Sequence, residues 1–199
     1  MAGGANTYLW GGRVRKGMRP SSFWRAQEEE GEGRWVTIDG THIFMSDTPS
    51  LTDTKGNKVK VEVSYRSLAE EGEVATLYDG YEVKAGGKIV GRMSLMDVPH
   101  RIDKGLLLYS LEGSQATKSG LKGAGTLLVA RSVSESFKRG YNGKVVLYSL
   151  PKSRGFYEKL GFTKTKLTGE LGAYKYDYEI GGVRARKLMQ MARVKFGRL

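Results

Sequence analysis

The segment from Gly120 to Phe162 constrains this chain more than any other. A glycine-rich turn (GLKGAG) runs into a stretch with helical spacing (TLLVARSVSESFKRG), an apolar strand (KVVLYSL) and then PKSRGFYEKLGF. Thr126, Val129, Ala130, Val133 and Phe137 fall at i, i+3, i+4, i+7 and i+11, which predicts a helix closed by Gly140. The glycines therefore stand at a helix N-terminus. Unpaired N–H groups and the helix dipole favour an anion there, and the lack of side chains lets backbone approach it. A tight strand-to-helix connection with no ligand would give the same pattern. Spacing excludes two nucleotide motifs: the turn has no Gly-Lys-Ser/Thr, and Leu128 stands where a dinucleotide fingerprint needs its third glycine.

Val145, Val146, Leu147 and Leu150 read as a strand ended by Pro151, and Phe156 to Phe162 as a short helix stopped by Gly161. With this second segment in place, the chain resembles the GNAT superfamily of N-acyltransferases. Gly123, Ala124, Gly125 and Leu128 match the family's Gly-x-Gly-x-x-Leu loop, and FYEKLGF matches its signature after the following strand. The resemblance implies an α/β (α+β) fold: a mixed, mostly antiparallel sheet with flanking helices. It also implies acetyl-CoA as the acyl donor and an amine as acceptor. The pyrophosphate would lie on Lys122, Gly123, Ala124, Gly125 and Thr126, and Tyr157 would be the acid for the departing thiolate. Three positions depart from the pattern: Gly120 replaces a Gln or Arg, Leu150 an Asn, and Ser153 an Ala.

Direct attack of an amine on a thioester also needs a base. Glu112, just past the strand before the loop, is the leading candidate, ahead of Asp97 and His100, and a solvated loop position is the alternative for each. With no cysteine and only two histidines, His42 and His100, the sequence offers no metal cluster, disulfide or thiolate nucleophile.

Elsewhere the chain divides into four parts. Residues 1–34 read as a flexible or partner-docking arm, with the basic cluster Arg13, Arg15, Lys16 and Arg19, the acidic run Glu28, Glu29, Glu30 and Glu32, and the aromatic anchors Trp10, Phe23 and Trp24. Residues 35–57 read as a β-hairpin turning at Asp39-Gly40, then a connector from Ser46 to Asn57. The stretch WVTIDGTHIF resembles a segment of minor head and head-morphogenesis proteins of tailed bacteriophages, which implies a phage-encoded, virion-associated protein. Residues 58–180 carry the GNAT-like domain, with strands at 58–65, 74–84, 88–96, 105–111 and 173–180 and barely one helical turn where the family places two helices. Residues 181–199 read as a basic amphipathic helix.

The net charge of +12 and pI near 9.8 favour acidic partners, so the two ends are expected to contact other protein subunits or nucleic acid. Without an apolar run of membrane-spanning length or a leader pattern, the expected location is the cytoplasm of a host cell or a virion. Two functions follow: an active N-acyltransferase, or a catalytically silent GNAT-fold component of a phage particle.

Overall fold

The computed structural model describes residues 33–38, 41–46, 48–67, 79–98, 104–113, 118–165 and 176–197, with the side chains of 33–46 and 66–67 left aside. Most of the N-terminal arm, the 68–78 link, His100, 114–117 and 166–175 lie outside that set, so the expectations for them do too.

The fold class is the expected one, α/β with a mixed, mostly antiparallel sheet and flanking helices. Its seven strands, in spatial order, are β10 (Thr163–Lys164), β11 (Tyr178–Ile180), β9 (Val145–Leu147), β8 (Leu106–Glu112), β7 (Lys88–Asp97), β6 (Asp79–Ala85) and β5 (Glu62–Ser67). Every neighbouring pair is antiparallel except β8 and β9. That pair needs a crossover, supplied by helix α1 (Ala124–Lys138). A parallel strand reached through a helix is covered on both faces, and Val145, Val146 and Leu147 are all buried.

Helix α1 lies across the sheet with Leu127, Leu128, Val129, Ala130 and Val133 buried. Its first turn approaches β7 closely because position 91 is glycine. A Cβ there would stand 3.1 Å from a Leu128 methyl and 3.2 Å from the Ala124 Cβ. At the other end of the helix Arg139 donates to Asp79 and, at 2.8 Å, to Asp97, joining the outer ends of β6 and β7. Asp97, offered as a secondary base, is therefore an ion-pair partner at the opposite end of α1 from the glycine turn.

Two pieces that the sequence places outside the sheet contribute to its core. Helix α3 (Gly182–Phe196) packs on α1 and buries Ala185, Leu188, Met189, Ala192 and Phe196. The apolar face of the basic tail is thus spent on its own domain. The expected connector holds a hairpin, β3 (Ser50–Thr52) with β4 (Lys58–Lys60), and Leu51 within it is fully buried. Asp53 closes its turn, its Oδ1 accepting from the amides of Lys55 and Asn57 at 2.8 Å and its Oδ2 from the Asn57 side chain at 2.9 Å. The single strand expected over 58–65 is split at Val61, whose amide donates to the Pro49 carbonyl at 2.9 Å, so β4 pairs with β3 and β5 with β6. Of the expected hairpin, β1 (Gly33–Ile38) is paired antiparallel with β2 (Thr41–Ser46), from Gly33 opposite Ser46 to Ile38 opposite Thr41, and Asp39-Gly40 lies outside the described residues.

Candidate functional site

The parallel pair does not run its full length. β8 and β9 are in register from Leu106 opposite Val145 to Leu108 opposite Leu147, and then β9 stops while β8 continues to Glu112. What draws the chain away is Asp177. Its amide donates to the Leu147 carbonyl and its Oδ2 accepts from the Ser149 amide, each at 3.0 Å, so the chain after β9 follows β11 rather than β8. From Ser110 to Glu112, β8 keeps β7 on one side and, among the described residues, has no strand on the other. A cleft opens between diverging strands. Leu150, Tyr148 and Tyr109 are all more than half exposed around it.

The glycine turn stands at the mouth of this cleft. Gly123 caps α1 in a left-handed conformation (φ 102°), and the first helical backbone bond runs from Leu127 N–H to the Gly123 carbonyl at 2.9 Å. The amides of Gly123, Ala124, Gly125 and Thr126 precede that bond and have no acceptor among the described residues. Lys122 differs, because its amide donates to the Thr52 carbonyl at 2.6 Å while the Thr52 amide donates back at 3.4 Å. Of the five residues assigned to a pyrophosphate, Lys122 can therefore contribute only through its exposed side chain.

Gly125 faces the cleft. A Cβ on it would meet Phe156 Cζ at 3.5 Å, Gly113 Cα at 3.9 Å and a Leu111 methyl at 4.0 Å. Backbone from the end of β8, backbone from the start of α1 and a ring from the FYEKLGF helix thus converge.

Helix α2 (Arg154–Lys159) follows a 3-10 turn at Pro151–Ser153 and is anchored by Glu158, whose Oε1 accepts from the Tyr178 hydroxyl at 2.7 Å. The Tyr157 ring is buried, edge-on to Phe156 (5.0 Å between centroids) and to Phe162 (5.6 Å). Its hydroxyl has no hydrogen-bond partner among the described residues and is not sealed from solvent. Burial holds the phenol above its ordinary range, so Tyr157 carries its proton at neutral pH and is suited to be an acid rather than a base. Glu112 ends β8 opposite Arg92, exposed at the rim of the cleft.

Both expected chemical residues and the turn therefore lie on the elements that border one cleft. Asp177, which opens it, and Thr52, which ties the turn, escaped the sequence reading. Neither belongs to a local pattern, and each acts through a chain segment distant in sequence. Two open hollows, of ≈ 410 and ≈ 360 Å³, lie elsewhere, one beside the β6–β7 turn and Pro49, the other around Tyr141 and the start of α3.

No protein-family model matches the chain, and no curated protein does. Solved structures resemble it at low identity. The AtaT toxin bound to the C-terminus of the antitoxin AtaR aligns with 66% of this chain and 96% of its own, at 14% identity and a TM-score of 0.45. A GNAT-family protein from Desulfovibrio desulfuricans aligns with 61% of this chain and 98% of its own, at 15% and 0.46. A ribosomal-protein-alanine N-acetyltransferase from Brucella melitensis biovar Abortus aligns with 57% and 99%, at 13% and 0.43.

Proposed function

We propose that the chain transfers an acyl group from acetyl-CoA to an amine. The observation that carries this reading is the coincidence, at one cleft, of a split parallel strand pair and four unused amides at the start of a fifteen-residue helix. Four N–H donors at the positive end of a helix dipole suit a pyrophosphate, and the side-chain-free contact between Gly113 and Gly125 brings the end of β8 up to those donors. Gly123, Ala124, Gly125 and Thr126 would hold the phosphates through their amides and Lys122 through its ammonium. A bound acetyl-CoA supplies an activated carbonyl and a thiol leaving group. Glu112 would take the proton that the amine loses as its nitrogen bonds to the carbonyl carbon. Tyr157 would give its hydroxyl proton to the sulfur as the carbon–sulfur bond breaks.

Titration of the full chain with acetyl-CoA, followed by calorimetry and by the amide resonances of 123–126, tests the reading. Micromolar binding with shifts confined to those amides and the cleft is the expected result. No heat and no shift at millimolar ligand would overturn it.

The second reading, a silent domain within a phage particle, is favoured by one observation on α3. Its outer face carries exposed Val183, Met191 and Val194 among Arg184, Lys187 and Lys195, and no acidic residue occurs in the helix. Such a surface suits another subunit with an acidic face. Self-assembly lost on replacing Val183, Met191 and Val194 by serine, in a chain that does not bind acetyl-CoA, is the result that this reading requires.

A further inference from the structure

The glycine turn is held from behind by residues that belong to neither its strand nor its helix. On the side away from the cleft, a Cβ on Gly123 would stand 2.9 Å from Phe196 Cε1 and 3.7 Å from a Leu51 methyl. Phe196 ends α3 and Leu51 lies in β3, and both are buried. The two elements are tied to each other, since Lys58 of β4 donates its ammonium to the Lys195 carbonyl at 3.0 Å. They are also tied to the turn through the reciprocal backbone bonds between Thr52 and Lys122. The carbonyl and amide that Lys122 presents rearward are therefore fixed, and the next four amides are left pointing elsewhere.

We propose that the β3–β4 hairpin is the back-plate of the anion-accepting turn, with Leu51 as a positioning residue. It seats the left-handed Gly123 against Phe196 and sets the direction of the Gly123 to Thr126 amides. The ligand part of this proposal rests on the acyl-CoA reading above; the structural part does not. Preorganised donors bind an anion without first losing conformational freedom, so loosening the plate weakens binding without touching the ligand. It also requires a hierarchy of stability in which the turn opens with the hairpin and not with the sheet.

Amide hydrogen exchange on the full chain, with coenzyme A titration in parallel, separates these parts. In the native chain the Lys122 amide should exchange slowly, as a bonded group does. In Leu51→Ala, which removes the contact behind Gly123, Lys122 protection should fall by at least ~10-fold more than that of Val146 in the sheet, through opening confined to the hairpin and turn. Coenzyme A affinity should drop by about the same factor, and Leu51→Met should restore both. If Leu51→Ala does not fold, the milder Phe196→Leu reads the same contact from the other side. Leu95→Ala, a core cavity in β7 two residues from Asp97 and so toward the opposite end of α1 from the turn, should lower global stability while leaving the relative protection of Lys122 unchanged.

Fast exchange of Lys122 in the native chain, or protection in Leu51→Ala falling in step with Val146, would overturn the proposal. If coenzyme A binds the native chain and Leu51→Ala alike, the positioning role for the ligand is overturned. If it binds neither chain, the acyl-CoA reading fails instead, and the exchange result still decides whether the plate holds the turn.

Discussion

Two glycines two residues apart in the same turn should respond to alanine in opposite ways. Gly123 has φ 102°, a region that costs an L-residue about 1–2 kcal/mol. Its new methyl would lie 2.9 Å and 3.3 Å from two atoms of the Phe196 ring, and that ring is 2% exposed, so it has nowhere to swing. Forcing a methyl into a filled core costs a further ~1–3 kcal/mol. The stiffer unfolded chain returns about 0.4–1 kcal/mol. Gly123→Ala should therefore destabilise by about 2–4 kcal/mol, a fall in Tm of roughly 5–15 °C for a chain of this size. Gly125 sits in the first turn of α1, where the nearest atom to its new methyl is Phe156 Cζ at an ordinary 3.5 Å. Alanine is the better helix former by up to ~1 kcal/mol, so Gly125→Ala should be neutral or stabilising. The same methyl stands between Phe156 and Gly113, beside the free amides. Coenzyme A affinity should fall by ~10-fold or more, which is about 1.4 kcal/mol. Urea denaturation and calorimetric titration of both variants read the two effects. Native stability in Gly123→Ala would refute the packing argument. A destabilised Gly125→Ala with native affinity would show that the turn only packs against Phe156.

Tyr157→Phe removes a hydroxyl that has no partner among the described residues. Stability should change by less than ~1 kcal/mol at pH 7, while acyl transfer should fall by about 10²–10⁴-fold if the phenol is the acid. The phenol's pKa is raised on folding from about 10, so both states are neutral below that pH and the native state loses stability above it. Alkaline melts of Tyr157→Phe should show less of that loss. Asp97→Asn should cost no more than about 1 kcal/mol, because its bond to Arg139 is half-exposed, and should leave transfer unchanged; a large loss of rate would return Asp97 to the chemistry. Hydrogen bonds from the side chain and then the backbone of Asn57 hold the Asp53 carboxyl below its ordinary value near 4. The β3–β4 turn should therefore be intact above pH 4 and loosen as the carboxylate is protonated below it, visible as loss of the Asn57 amide protection.

The Gly120–Phe162 unit was legible because its information is local. Helical spacing placed α1, observed as Ala124–Lys138, and Gly140 (φ 78°) follows it as expected. Two glycines with positive φ, Gly86 and Gly87, turn β6 into β7, and β1 pairs with β2 as the alternating pattern of 35–46 predicts. The errors lie where structure is set by distant partners. Residues 46–57 read as a connector because three-residue strands show no alternation. What makes them a hairpin is Asp53 folded onto Asn57, and Leu51 buried behind Gly123. Asp97 read as a base candidate because nothing near it in sequence announces Arg139. The C-terminal helix showed an apolar and a basic face, and periodicity alone does not say which surface the apolar one will meet; it meets α1.

The contact of Phe196 with Gly123 and Leu51 also sets an order of events in the life of the chain. Leu51 is made well before the turn, and the turn well before Phe196, so their meeting joins segments far apart in the chain. While the chain is being synthesised, the sheet strands up to β8 can pair before α3 exists, but the turn has nothing to close against until Phe196 has left the ribosome. A ribosome stalled before that point should display a partly formed sheet with an unseated turn. The geometry that would admit a ligand is then acquired only after the sheet on which it stands.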